Sequence, residues 1–470
     1  MSACPYSYGQ SKITASRLRC KTAKGALAAF MALAWIGGCA ERAPMPTQLP
    51  PQLTLSPSPV RAWSADQLAD LRETARSAPA HGLWPEEEVL GVLGELEPLS
   101  LRDEAAAQRL DETADELFAR LAHRFAVGAV DPAQADPAWR IPPPAAPDEA
   151  ALRRAVADGA DVSDTLAALL PQTPDYTALV AELARVQAEA DEAVDEAGLS
   201  KATRIDRLRA SLERWRWAPR TLPLRRIDVL VPFFELRARD GEASVHYAVI
   251  VGARRSQTPS FAAAIETVTL NPTWTPPSSI VQGELAPRFR RNPSAATAEH
   301  FDVIDRNGRL VDPAAVNWSA RPFPYVLRQR AGPGNALGRL RFDLPNPYAV
   351  FIHDTPNRGL FARSDRALSH GCIRVSEPVA LAALVIADDE WSEPTLDATI
   401  EIGATRTIRL EEPMPVYVLY LTAAPDQNGI VRYAEDIYER DAEVLRALAH
   451  EASWQAATRQ QTETECALAH

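Results

Sequence analysis

Ser244-Val245-His246-Tyr247-Ala248-Val249-Ile250-Val251-Gly252 places Val245, Tyr247, Val249 and Val251 at every second position. Side chains at a period of two stand on alternate faces of a strand, so the run reads as β-structure ended by a glycine. Similar β-branched or aromatic runs lie outward from it: Ile227-Asp228-Val229-Leu230-Val231, Thr267-Val268-Thr269-Leu270, Ala349-Val350-Phe351-Ile352 and Thr399-Ile400-Glu401-Ile402. Together they predict a mostly β domain over residues 221–422. Between residues 276 and 338 the sequence is mixed and punctuated by Pro, Gly and Asn. That stretch is too long for a simple connection, which makes it a lid or capping insertion.

Upstream the period changes to three and four. Leu68, Leu71 and Ala75, then Leu110, Ala114, Leu117, Phe118, Leu121 and Phe125, mark helices of an α-helical domain over residues 61–220. Asp103 is a candidate cap, Gly128 and Asp131-Pro132 stop the long helix, and Pro142-Pro143-Pro144 breaks the pattern before Asp148 starts the next one. A further helix runs from Lys201 to about Trp217. Downstream, residues 423–455 form a C-terminal helical segment, with its helix from Asp436 to Ala449, and 456–470 a disordered tail. The fold class is therefore α+β.

The N-terminus has the layout of an export signal. Lys12, Arg17, Arg19, Lys21 and Lys24 precede an apolar stretch from Gly25 to Ile36, which is shorter than the roughly 20 residues a membrane span needs. Gly37-Gly38-Cys39-Ala40 follows and resembles a lipoprotein cleavage site, so residues 1–38 are read as a lipoprotein-type signal peptide and Cys39 as the lipidated residue. The other reading is a plain secretory signal with Cys39 incidental. Residues 39–60, with Pro44, Pro46, Pro50, Pro51, Pro57 and Pro59, would form a semi-rigid tether holding the folded part off a membrane. The formal charge of -12 repels phosphate backbones, which excludes nucleic acid as a partner.

Cys4 and Cys20 would leave with the signal and Cys39 would carry lipid, so only Cys372 and Cys466 remain in an oxidising compartment. A single Cys372–Cys466 bridge is one outcome; the other is a thiol kept reduced for catalysis. A nucleophilic cysteine needs a base, a group that orients the base, and donors for the oxyanion. Cys372 sits in Ser369-His370-Gly371-Cys372-Ile373-Arg374, where Gly371 lets the backbone bend sharply. His353 ends the apolar run Val350-Phe351-Ile352, 19 residues before the cysteine.

Ile352-His353-Asp354-Thr355-Pro356 followed by Ser369-His370-Gly371-Cys372-Ile373-Arg374 resembles the catalytic signature of the L,D-transpeptidases, the YkuD-type domain. The resemblance extends to the larger exported subfamily with a helical scaffold domain. It rests on Gly128-Ala129-Val130-Asp131-Pro132 with Trp139, Glu213-Arg214-Trp215-Arg216-Trp217, Gln257-Thr258-Pro259, Asn271-Pro272-Thr273-Trp274, Asn335-Ala336-Leu337-Gly338 and Pro345-Asn346. Many relatives carry a small peptidoglycan-binding module between scaffold and catalytic domains. Here only about Ala188 to Ser211 lies between them.

The resemblance implies a peptidoglycan enzyme of the cell envelope that uses no cofactor. Cys372 would attack the diaminopimelate carbonyl of a donor stem tetrapeptide, releasing D-Ala. A diaminopimelate amine would then accept the acyl group in a 3-3 cross-link, in a chain that is periplasmic and membrane-held through its lipid. His353 would be the base, oriented by the backbone carbonyl of Asp354, and the N–H groups of Gly371 and Cys372 would hold the oxyanion. His370 is the alternative base. Arg374, His370, Ser369 and Trp274 are the candidate substrate-binding residues, with Arg374 also fit for a structural role and Ser369 and His370 for shaping the turn. The family's acylation by carbapenems makes Cys372 their expected target.

Bland readings stand beside these. Trp215 and Trp217 are read as packing residues before a sugar platform, Glu86-Glu87-Glu88 as a solvated charge run, and no metal site is argued because no histidine has a partner at ligand spacing. Rival functions are anchoring of an envelope protein to peptidoglycan, hydrolysis of such links, a non-catalytic lipoprotein, and a general cysteine peptidase.

Overall fold

Helices fill the first half of the chain for the reason their spacing suggests. The structure is a computed structural model that describes residues 62–450 apart from Glu242. The signal peptide, Cys39, the tether, the tail and Cys466 lie outside the described residues. Leu68, Leu71 and Ala75 on the helix Ala65–Ser77, and the six apolar positions named above on Glu104–Val127, are all at most 2% exposed. Asp103 caps the second helix by accepting the N–H of Ala105 at 3.1 Å, and Asp148 caps Glu149–Ala157 in the same way through Ala151.

The long helix stops at Gly128 because nothing larger fits. Its φ of 97° is in the left-handed region, and a Cβ there would lie 2.6 Å from the Trp217 indole nitrogen. Behind it the buried Glu213 carboxylate accepts the N–H groups of Ala129 (2.7 Å), Val130 (3.1 Å) and the Trp217 indole (3.1 Å). The turn after Gly128 is thereby fixed to the helix Lys201–Trp217. Trp215 and Trp217 are buried there, with Trp217 edge-on to Trp139 at 5.6 Å, so both are packing residues. One charge reading is corrected. Glu87 and Glu88 are solvated at the start of the helix Glu87–Ser100, but Glu86 is buried and pairs with Arg120 and Arg124.

The second half is a large sheet with an insertion. In chain order it begins with β1 (Arg226–Leu230), β2 (Glu235–Asp240), β3 (Ala243–Gly252) and β4 (Phe261–Leu270). The expected insertion follows as a folded unit with short helices such as Ala286–Arg291 and a three-stranded sheet of β5 (Phe301–Ile304), β6 (Leu310–Val311) and β7 (Val326–Gln329). Phe289, Phe301, Trp318 and Leu327 give it a core of its own. The main sheet resumes with β8 (Leu340–Asp343), β9 (Ile352–His353), β10 (Ala367–Ser369), β11 (Ile373–Val375) and β12 (Arg406–Leu419). Its order is β10-β3-β11-β9-β8-β4-β12-β1-β2, and because β2 also pairs with β3 the sheet closes on itself.

Three expectations fail. Part of the C-terminal helical segment, residues 423–433, is a two-stranded antiparallel hairpin of Ala423–Pro425 and Val431–Tyr433. Thr399-Ile400-Glu401-Ile402 is no strand but the end of the helix Glu393–Glu401. Leu396 and Ile400, four apart, share its buried face, whereas Ile402 is 74% exposed, so the apparent alternation has no buried side. The C-terminal helix starts late, at residue 441, because the Asp436 carboxylate accepts the N–H groups of Arg440 (3.0 Å) and Asp441 (2.9 Å) and holds 436–440 as a turn.

That turn ties the two halves together. Asp136 of the helical domain is buried between Arg440, whose Nε lies 2.8 Å away, and Arg214, at 3.2 Å; Arg214 also pairs with Asp441. Removing one member of a buried ion cluster leaves charge without compensation, at a cost of about 3–5 kcal/mol. Asp136→Ala, which leaves Arg440 without a carboxylate partner and Arg214 with Asp441 alone, is expected to lose stability on that scale in urea unfolding, against under about 1 kcal/mol for the exposed pair member Glu443→Ala.

Candidate active site

Strand register builds the site. β9 and β11 are parallel, with Ile373 opposite Ile352 and Arg374 opposite His353. Ile352, Ile373 and Val375 point into the sheet core, and by strand alternation Cys372, Arg374 and His353 take the other face. The Ile373 N–H reaches the Phe351 carbonyl at 2.9 Å, which carries the pairing up to the cysteine. Cys372 is a free thiol, half-buried, with Sγ 3.7 Å from the carbonyl of Ala349. Asn346 positions that loop: its side chain reaches the carbonyls of Leu344 and Val350 and accepts the N–H groups of Tyr348 and Val350.

His353 is buried, and its Nδ1 lies 2.5 Å from the carbonyl of Asp354. A carbonyl only accepts, so this contact fits a proton on Nδ1, with Nε2 the basic nitrogen of that tautomer; the backbone of Leu337 also hydrogen-bonds the ring. The Asp354 side chain serves the backbone instead: it accepts the N–H of Arg339 (2.8 Å) and of Thr355 (2.6 Å) and pairs with Arg358 at 2.7 Å. Gly338, at φ 62°, makes this possible, since a Cβ on it would sit 2.4 Å from that carboxylate.

Residues 225–395 match the family model of the L,D-transpeptidase catalytic domain, and residues 60–183 match that of the Scaffold domain. The chain carries an L,D-transpeptidase catalytic domain. It is 34% identical over 221 residues to a Haemophilus influenzae protein named "Putative L,D-transpeptidase". That similarity covers 46% of this chain and 45% of the relative, so the chain matches under half the length of that protein.

In the L,D-transpeptidase domain the Ser-His-Gly-Cys turn is held by its own serine. The N–H of Gly371 donates to Ser369 Oγ at 3.0 Å. Ser369 Oγ in turn donates to the Cys372 carbonyl at 2.5 Å and is buried, so Ser369 shapes the turn and has no surface to offer a substrate. Among the described residues the N–H of Cys372 has no partner. Gly371 is required for its φ of 114°. His370 is half-exposed and its Nε2 lies 2.6 Å from Glu284 of the insertion. Trp274 pairs its backbone with Gln329 and packs its half-buried ring against Phe301 of the insertion. Among the described residues no group of three or more His, Cys, Asp or Glu is fit to hold a metal ion, and no helix is long and apolar enough to cross a membrane.

The electrostatics favour an uncharged resting pair. Burial, helped by the Arg374 and Arg341 guanidinium groups, lowers His353 to about 3. Burial raises the Cys372 thiol, against the pull of the Phe351 N–H and of Arg374 toward the thiolate. Arg374 has no carboxylate partner among the described residues, and its Nε is buried without a hydrogen bond. Arg341 and the carbonyl of Ala349 are site features that sequence reading missed; the motif Pro345-Asn346 was the signal for the second.

A depressed histidine has a stability consequence. Unfolded, His353 takes a proton below its ordinary value of 6.5; folded, it resists until about 3. Its contribution is therefore full above pH 6.5 and is lost as pH falls between 6.5 and 3, at about 1.4 kcal/mol per pH unit. His353→Gln, which cannot titrate, should show a shallower loss of unfolding free energy between pH 6 and 4 than the wild type, by about that slope.

Proposed function

We propose that this chain is a peptidoglycan L,D-transpeptidase forming 3-3 cross-links between diaminopimelate residues through a cysteine thioester. The observation that carries the reading is the shared face of Cys372, His353 and Arg374 within a matched catalytic domain, with the Asp354 carbonyl at Nδ1 of His353. His353 Nε2 takes the Cys372 proton and the thiolate adds to the carbonyl of the third stem residue. The tetrahedral intermediate collapses, its C–N bond breaks, and D-Ala leaves with the proton from His353. The amine of a second diaminopimelate side chain then attacks the thioester, giving its proton to His353 as the C–S bond breaks and the thiol re-forms.

His353 is preferred to His370 as the base because it is buried beside the nucleophile strand, whereas His370 is turned to Glu284 and solvent. The unpaired Arg374 is the residue suited to a substrate carboxylate, as a bidentate donor. We place the enzyme in the periplasm, held to a membrane by lipid on Cys39. Transfer to an envelope protein or to water uses the same first half-reaction. Incubation of the purified protein with tetrapeptide-bearing muropeptides separates them by product mass: dimers formed with loss of D-Ala support cross-linking, and hydrolysed monomers alone would overturn it.

A further inference from the structure

The motif Gln257-Thr258-Pro259 lies outside the two catalytic segments, yet its threonine touches the turn that carries the nucleophile. Thr258 is fully buried, and its Oγ1 donates to the carbonyl of Gly371 at 2.8 Å while accepting the N–H of Gly252 at 2.9 Å. The Gly371 carbonyl and the Cys372 N–H belong to one planar trans peptide, so they point in opposite directions. Anchoring the carbonyl on Thr258 aims the Cys372 N–H away from Thr258; among the described residues that N–H has no partner, whereas the N–H of Gly371 is taken by Ser369.

The anchor is itself held. Tyr438 donates to the Gly252 carbonyl at 2.5 Å and accepts the N–H of Thr258 at 3.3 Å. The loop 256–258 lies so close to Gly252 that a Cβ on that glycine would be 2.2 Å from the Ser256 carbonyl oxygen. Tyr438 stacks on Tyr420 and precedes the Arg440–Asp136 contact to the helical domain, so the hydroxyl of Thr258 is one link between that domain and the nucleophile turn, beside the Ser256 hydroxyl and Ala253 N–H that reach the Ser369 carbonyl.

We infer that Thr258 is a positioning residue that fixes the Gly371–Cys372 peptide so that the Cys372 N–H serves the oxyanion, with Tyr438 holding Thr258 in place. The inference rests on the acyl-transfer reading of Cys372. Two reagents separate its effects. Acylation by a carbapenem passes through an oxyanion, whereas alkylation of the thiol by iodoacetamide does not.

Loss of one oxyanion donor costs about 10²–10³-fold, and misaiming it should cost about 10–10²-fold. Thr258→Val should therefore slow carbapenem acylation of Cys372 by that factor, with iodoacetamide alkylation within about twofold of wild type. Thr258→Ser, which keeps the hydroxyl, should restore acylation to near the wild-type rate. Tyr438→Phe should give a smaller, equally selective loss, and carries the test if the valine variant fails to fold. Equal slowing of both reactions, or acylation unchanged in both Thr258→Val and Tyr438→Phe, overturns the assignment. A wild-type protein that alkylates and never acylates overturns the acyl-transfer reading, and the assignment with it.

Discussion

Cys372→Ala is expected to abolish both thioester formation and cross-linking and to leave the fold intact. In the proposed mechanism the Cys372 thiol forms the covalent bond, so no route to an acyl-enzyme survives its removal. The structural cost is small because Cys372 is half-buried and its Sγ makes one long contact, to the Ala349 carbonyl. In the wild type the rate of thiol modification should rise with pH through the neutral range and beyond, since burial holds the thiol protonated at neutral pH. Mass analysis of products from muropeptides checks the first statement and thermal unfolding the second. Cross-linking retained by the alanine variant would end the cysteine mechanism.

His353→Ala should lower turnover by about 10²–10⁴-fold, the range of a lost general base. His370→Ala should cost less, because that ring contacts Glu284 of the insertion and solvent. The two variants must be compared at matched folded fraction, since His353 is buried and its removal opens space beside β8 and β11. The opposite order of losses in well-folded proteins would transfer the role of base to His370.

Much of this was legible in the sequence because the chemistry is local. The Ser369 to Arg374 run, His353 at the end of an apolar stretch, and the Asp354 carbonyl all lie where the motifs put them. The helical half was equally readable, since Leu110 to Phe125 carry one buried stripe. Four of the main-sheet strands that were missed are of two kinds. β10 and β11 have only three residues each and show no period. β2 and β12 hide theirs: β2 reads Glu235-Leu-Arg-Ala-Arg-Asp, with Arg237 buried against Glu235, and β12 is interrupted by a register shift between Arg409 and Met414 and by Pro413 and Pro415. The contact of the Gly371 N–H with Ser369 was not legible for a different reason. A spacing shows that a glycine turn exists, but which of its N–H groups is already spent depends on where the Ser369 hydroxyl rotates.

Acylation of Cys372 is the claim on which the rest depends. A β-lactam is a strained acyl donor whose ring opens without expelling a group, so the adduct keeps the whole mass of the drug. Intact-protein mass spectrometry after exposure to a carbapenem should show that increase in the wild type, localised to the peptide containing Cys372, and none in Cys372→Ala. No increase in the folded wild-type protein, or an equal increase in the alanine variant, would contradict an L,D-transpeptidase active site at Cys372.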